Sequence, residues 1–507
     1  MESQSGWPLC ISSPADVPAR RSRHLPSRSA GVPARPIADG GEAQQHERPQ
    51  VVSNPNNEAI RLASAHGRFL GSLVIRGGRV IDPGQGIDAI TDIAIRDGFV
   101  DAVGIGIDAP PGAQVIDARG LIVTPGFVDL HTHLREPGFE YRETIATGTA
   151  AAAAGGFTTV CAMPNTEPAI DTTAVVDFIH DTARRQGSVR VYVIGAITRG
   201  RKGKALADLI ELANAGVVAY SDDGDCVTDS ALMRNALAYS RTTGRPVVQH
   251  AEDRALTTGA QMHEGSVSAR LGLAGWPRAA EEVIVARDCE LAALTGAHLH
   301  VAHVSSAGTL DFIRRARSRG VHVTAEVTPH HLTLTDSLVG GHWWSATASL
   351  PAYDTRTKVN PPLRETPDSL AMAAGLRDGV IDCIATDHAP HGTTDKHCEY
   401  QAAASGISNL ETALGSVLAV VHAGGLTLVE AIAALTIRPA RVFGLAAGTL
   451  LPGMAGDVTI LDPDREWCVD PTQFRSKGRN TPLAGHILRG QVIQTIVGGE
   501  VICDRSA

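Results

Sequence analysis

From Gly71 to about Gly120, apolar and polar residues alternate in short runs, SLVIRGGRVID, ITDIAIRDGFVDAVG and AQVIDARGLIVTPG, broken by Gly, Asp and Pro. A period of two bounded by turn residues predicts half-buried strands, and so a small β layer. GDVTILDP and HILRGQVIQTIVGGEVI repeat the pattern near the far end. The two ends are therefore expected to pair into one sandwich, with the rest of the chain inserted between its halves. Over about residues 121 to 440, apolar runs of strand length alternate with helical stretches such as SALMRNALAYSRTTG and TALGSVLAVVHA. That is how βα units on a parallel sheet read. Eight such runs occur: IVTPGFVDL, FTTVCAM, RVYVIGAI, GVVAYS, PVVQH, HLHVAHV, VHVTAEVT and VIDCIAT.

The predicted architecture is thus α/β, a (β/α)8 TIM barrel with a small β-sandwich domain formed by the segments that flank it. Residues 1–66 hold eight of the 28 prolines and show little apolar periodicity, so they cannot repay the entropy of ordering. The expected divisions are a disordered extension over 1–66, sandwich segments over 67–122 and 445–507, and the barrel over 123–444. GHWWSATASLPAYDTRT is the expected loop insertion.

Hydrophobic residues at 43% and charged residues at 20% fit a globular protein large enough for a substantial core. A net charge of −9 offers no electrostatic reason for a nucleic-acid partner. No apolar run reaches the ~20 residues of a membrane helix. Eight cysteines without a CxxC pair suit a reducing, cytoplasmic setting.

In a barrel the C-terminal strand ends converge on one mouth, where sites are built. The first run ends in DLHTHLREPG, and i, i+2 spacing in a strand puts His131, His133 and Arg135 on one face. The fourth run ends in Ser221-Asp222-Asp223, the fifth in His250, the sixth in His303 and the eighth in Asp387. Any one of these histidines alone would read as a core or surface residue, as His298, His300, His322, His330 and His331 are read. Four imidazoles and two carboxylates from five strand ends predict a metal site. Imidazole and carboxylate without thiolate suit zinc, and hydrolysis of an amide is its natural use.

DLHTHLREPG, AMPNTEP, YSDDG, VVQHAED, VAHVSS, EVTPHH, YDTRTKVNPPLR, ATDHAPH and SKGRNTP follow one another over roughly residues 71 to 503. Together they resemble the bacterial class I dihydroorotases of the amidohydrolase superfamily. HxH alone is superfamily-level, whereas HLREPG, AMPNT and VNPPLR combined are far more specific. The resemblance implies that His131 and His133 bind one ion, that His250 and His303 bind another, and that Asp223 bridges them, where many amidohydrolases use a carboxylated lysine. It implies that Asp387 is a ligand or near-ligand and the proton-transferring base, with one or two zinc ions activating hydroxide. Arg135, helped by Asn165 and His391, would hold the substrate carboxylate, while Asn360 and the backbone at Gly406 would address the ring amides. Asp222, facing the other way, is expected to make a structural hydrogen bond.

The implied reaction is reversible hydrolysis of (S)-dihydroorotate to N-carbamoyl-L-aspartate in pyrimidine biosynthesis. Expected partners are that small-molecule substrate, further copies of the chain and aspartate transcarbamoylase. Three departures bear on substrate choice: Ala404-Ser405-Gly406 in place of Pro-Phe-Gly, GISNLET in place of Gly-Ile-Val-Gly-Leu-Glu-Thr, and the insertion over 341–351. The alternatives are a hydantoinase or allantoinase, and a non-catalytic homologue supporting aspartate transcarbamoylase.

Overall fold

The computed structural model describes residues 71–341 and 350–506. The expected disorder of residues 1–66 and most of the expected insertion lie outside the described residues. The first strands are β1 (Ser72–Asp82), β2 (Ile87–Arg96), β3 (Phe99–Gly104), β4 (Gln114–Asp117) and β5 (Ile122–Pro125). The barrel strands follow: β6 (Phe127–Thr132), β7 (Phe157–Ala162), β8 (Arg190–Gly195), β9 (Ala219–Ser221) and β10 (Val247–Gln249). After a small pair, β11 (Met262–His263) and β12 (Gly275–Trp276), come β13 (Leu299–Val301), β14 (Val323–Val327) and β15 (Cys383–Ile384). The chain closes with β16 (Val458–Cys468), β17 (Ile487–Val497) and β18 (Glu500–Asp504).

The first and last strands of the described residues share one sheet, in the order β18-β17-β16-β5-β1-β2-β3, with β4 also on β1. Alternation explains the pairing, because Leu73, Ile75, Ile93 and Val123 from the first segment enter one core with Val458, Ile460 and Ile496 from the last. Antiparallel β5–β16 pairing, Ile122 opposite Leu461, stitches the halves together. The second sheet, β15-β14-β13-β10-β9-β8-β7-β6, is parallel throughout. It closes on itself through a parallel bridge from Thr132 to His388 and a hydrogen bond from His133 N to His388 O of 3.0 Å.

The first apolar run divides between the two sheets, its β5 half in the sandwich and its β6 half in the barrel. Gly126 lies at the break, where a Cβ would sit 2.1 Å from Thr158 Oγ1, so the two sheets meet too closely for any side chain. The barrel is fixed to the sandwich by Arg190, whose Nε lies 2.7 Å from Asp457 Oδ2. Helices cover the outside. The alanine-rich helix Ile145–Ala154 is started by a Thr144–Thr147 capping box, and its small side chains let Thr495 Oγ1 of β17 reach Ala153 O at 2.7 Å.

Candidate metal centre

Five of the barrel strands, β6, β9, β10, β13 and β15, deliver donor side chains at the mouth. β6 carries His131 and delivers His133 one residue past its end, and the period of two turns both imidazoles the same way while Thr132 faces elsewhere. His131 Nε2 lies 3.4 Å from Asp223 Oδ1, and His133 Nε2 lies 3.5 Å from Asp223 Oδ2. On the other side, His250 Nδ1 and His303 Nε2 stand 3.3 and 3.4 Å from Asp223 Oδ1 and 2.8 Å from each other. Asp223 is therefore common to two buried triads, His131-His133-Asp223 and Asp223-His250-His303, whose donor atoms lie within 4.8 Å of one another. Asp387 Oδ1 joins the first, 3.1 Å from His133 Nε2 and 3.6 Å from His131 Nε2.

Among the described residues, His131 Nε2, Asp223 Oδ1 and His303 Nδ1 are buried and make no hydrogen bond. Buried polar atoms without partners are rare and costly. Here they belong to a set of imidazole and carboxylate donors from five strand ends, which suits a divalent ion. Backbone strain marks the same place: Arg135, His303 and Asp387 adopt positive φ of 62°, 33° and 45°. Each costs on the order of 1–3 kcal/mol for a non-glycine residue and is held by the surrounding barrel.

Opposite charges face one another across the cage. Burial works against the charged form of His131, but Asp223, Glu326 and Asp387 outweigh it and keep its imidazolium well above the usual histidine range. Burial opposes charge on His250 too, yet Asp223 and Glu252 raise it to about 9. Asp223 and Asp387 lie well below the usual carboxylate range despite burial, because the histidines around them favour the anions. His133 is lowered by burial and by Arg135, which leaves it neutral, as a ligand must be.

A cavity of about 190 Å³ opens onto this cage, and its lining includes Arg135, Asn165, Asn360, His391, Ser405 and Gly406 beside the histidines and carboxylates. All five residues expected to contact substrate thus share one wall system with the cage. Arg135 is buried and, among the described residues, pairs with no carboxylate; its Nε donates to Pro390 O at 3.4 Å. Asn165 Oδ1 lies 2.8 Å from His133 Nδ1 and sets that ring. His391 donates from Nε2 to Ser405 O at 2.8 Å. Gly406 has φ +146°, and a Cβ there would meet Ala389 O at 2.8 Å and His391 Nε2 at 2.9 Å, so the wall requires glycine. Asp222 accepts from the Ile197 and Thr198 amides at 2.9 Å, the structural bond its orientation suggested.

Sequence reasoning missed the carboxylates behind the ligands. Glu326 of β14 lies 2.7 Å from His131 Nδ1 and also binds His300, and despite burial those imidazoles hold it down at about 2. Asp129 of β6 accepts from Thr386 N at 2.8 Å, tying the Asp387 segment to the first strand. Glu252 meets His250 Nε2 at 3.4 Å and accepts from Asn360 Nδ2 at 3.2 Å. The available signal was a lone acid within an apolar strand, VTAEV and FVDLH, where nothing but an interior partner repays its burial.

A family model described as Dihydro-orotase-like matches residues 120–309. A dihydroorotase of Anaeromyxobacter sp. (strain K) is 53% identical over 430 residues, covering 85% of this chain and 97% of its own length. A dihydroorotase of Pelotomaculum thermopropionicum (strain DSM 13744 / JCM 10971 / SI) is 52% identical over 431 residues, covering 85% and 98%. Among solved structures, L-hydantoinase (dihydropyrimidinase) from Arthrobacter aurescens is similar with a TM-score of 0.74 at 25% identity, covering 85% of this chain and 96% of that one. Dihydropyrimidinase from Brevibacillus agri NCHU1002 gives 0.73 at 23% identity, with 85% and 95% covered, a likeness of fold.

Proposed function

Because the chain belongs to the dihydroorotase family, we propose that this cyclic amidohydrolase interconverts (S)-dihydroorotate and N-carbamoyl-L-aspartate, a step of pyrimidine biosynthesis. The observation that carries the reading is Arg135, a buried guanidinium that has no carboxylate partner among the described residues and lines the same cavity as the donor cage. Its planar fork matches a substrate carboxylate in two parallel hydrogen bonds.

The ligands we assign are His131 and His133 on one side, His250 and His303 on the other, with Asp223 between them and Asp387 beside the first pair. Zinc, one or two ions per chain, is the ion this donor set favours. When bound, such ions lower the pKa of water and polarise a carbonyl. Asp387, anionic and within reach of the cage, takes the proton of the attacking water. It gives that proton to the ring nitrogen as the C–N bond breaks, and ring closure reverses both transfers. Arg135, Asn165 and His391 hold the carboxylate, which fixes which ring carbonyl faces the cage. Asn360, oriented by Glu252, and the backbone at Gly406 contact the ring amides.

We extend the proposal to a cytoplasmic enzyme that works as a homo-oligomer in contact with aspartate transcarbamoylase. Among the described residues no helix is long and apolar enough to cross a membrane. Gel filtration with and without that partner tests the assembly. The activity is tested by assaying one purified preparation for metal content and for turnover of dihydroorotate, hydantoin and allantoin. Dihydroorotate is expected to be preferred; faster turnover of either other ring would replace the assignment with a hydantoinase or allantoinase.

A further inference from the structure

Beside the substrate cavity lies a second one of about 250 Å³, and His391 lines both. Its walls come from the segments after β14 and β15 and from the loop between β16 and β17. They include four cationic side chains, Arg356, Lys396, Lys477 and Arg479, and one carboxylate, Asp354. In a chain of net charge −9 such a concentration of positive charge is unusual.

The four cations differ in how far they are already used. Arg356 is spent on Asp354, with Nε–Oδ1 of 2.9 Å and Nη2–Oδ2 of 2.5 Å. Lys396 is buried and donates to the carbonyls of Thr355, Lys358 and Ala404 at 3.0, 3.2 and 2.6 Å, which exhausts its three protons. Lys477 and Arg479 are exposed and pair with no carboxylate among the described residues. Lys477 donates to Glu140 O at 2.7 Å, and Arg479 Nη1 donates to the carbonyls of Phe474 and Pro471. Two protons of the ammonium and several of the guanidinium are left, and both residues line the one hollow. Of the acids nearby, Asp395 is occupied by Arg142, with Nε–Oδ2 of 2.9 Å, while Asp470 and Glu411, which feel the charge of Arg479 without pairing with it, accept from the Thr472 amide and from the Arg475 and Ser476 amides.

We propose that this cavity is an anion-binding site, distinct from the substrate cavity, for a small dianion of the phosphate class gripped by Lys477 and Arg479. Phosphate offers the clustered acceptor oxygens that a guanidinium fork and an ammonium satisfy together. Because His391 forms a wall of both cavities, a dianion here sits near the place assigned to an anionic substrate and weakens its binding, and linkage makes that effect reciprocal.

The test is calorimetric titration of inorganic phosphate, and separately of glycerol 3-phosphate, into the full metal-loaded chain, its Lys477→Ala/Arg479→Ala variant and its Lys477→Arg variant. Both altered side chains are exposed and give up only their few bonds to backbone carbonyls, so the melting temperature should fall by a few degrees at most in the double variant and stay unchanged in Lys477→Arg. Binding is expected in the parent chain and in Lys477→Arg, and to be weaker by about tenfold or more in the double variant. A higher KM for dihydroorotate in phosphate, absent from the double variant, is expected alongside. Tighter binding of the ester would make the occupant a phosphorylated metabolite, and tighter binding of phosphate would make it the free ion; either supports the site. Phosphate bound equally by the double variant, as it would be on the metals themselves, or bound by none of the three, overturns it.

Discussion

Arg135 is held in a state that makes sense with an anion beside it. Burial, and the neighbouring Arg142, bring its guanidinium down to about 10, so it stays charged at neutral pH while facing a cavity rather than a carboxylate. Replacing it with alanine removes a charge-assisted contact worth about 1.5–3 kcal/mol. KM for dihydroorotate should therefore rise roughly 10- to 100-fold, with kcat less affected. Lysine, a point charge without a fork, should recover only part of that loss. Asp387→Asn makes the opposite separation. The amide keeps the size and one acceptor but cannot take a proton, so kcat should fall by about 10²- to 10⁴-fold, with KM and the circular dichroism spectrum nearly unchanged. A variant that kept most of its kcat would remove Asp387 from proton transfer. Positive φ at Arg135, His303 and Asp387 shows why the site needs its frame, since each backbone is held where a free residue would not rest.

Strands and loops divide this work, and the division explains what the sequence made legible. All eight barrel strands were readable as apolar runs because each is buried on both faces, and their ligands were readable because they fall where an apolar run stops. The change of sheet at Gly126 was not, since β5 and β6 are both apolar and the break depends on Thr158 approaching from another strand. Glu326 and Asp129 escaped for a related reason: their partners, His131 and Thr386, are distant in sequence and meet them only across the barrel. The mouth loops were hardest to read. Lys358 and Lys396 look like surface cations, yet each is buried with its ammonium against backbone carbonyls, pinning the segments that carry Asn360 and Gly406. Glu411 plays a similar part where the helix Ala413–His422 begins, accepting from the amides of Arg475 and Ser476 at 2.7 and 3.1 Å. Burial pushes its carboxyl up to about 7 even so. A raised folded-state pKa gives stability that is complete below the ordinary value of 4.5 and is lost as pH rises through 7. Glu411→Gln mimics the protonated form, so its melting temperature should gain on the parent between pH 5 and pH 8. A constant difference across that range would mean that Glu411 ionises normally in the folded chain.

At the scale of the whole molecule, the donor cage is also a fastener. Its six side chains come from β6, β9, β10, β13 and β15 or the residues just past them, so an ion bound there joins strand ends from around the barrel. Binding to the folded chain alone stabilises it by about 2.7 kcal/mol when the free ion is a hundredfold above Kd. With an unfolding entropy of about 2 cal/mol/K per residue, a folded body of this size should gain only about 2–3 °C from that increment. Chelation should lower the melting temperature, and stoichiometric zinc should restore it in the parent chain but far less in His303→Ala. The protonation of the cage histidines adds a second signature. His250 is raised to about 9 and His131 lies well above its usual range, so both carry protons at pH 7.5 that must leave before their nitrogens can bind an ion. Zinc loading at that pH should release at least one proton, and affinity should weaken steadily as pH falls. Titrating zinc in buffers of different ionisation enthalpy counts those protons directly. A heat independent of buffer would mean that no proton is displaced, and hence that His131 and His250 do not hold the ion.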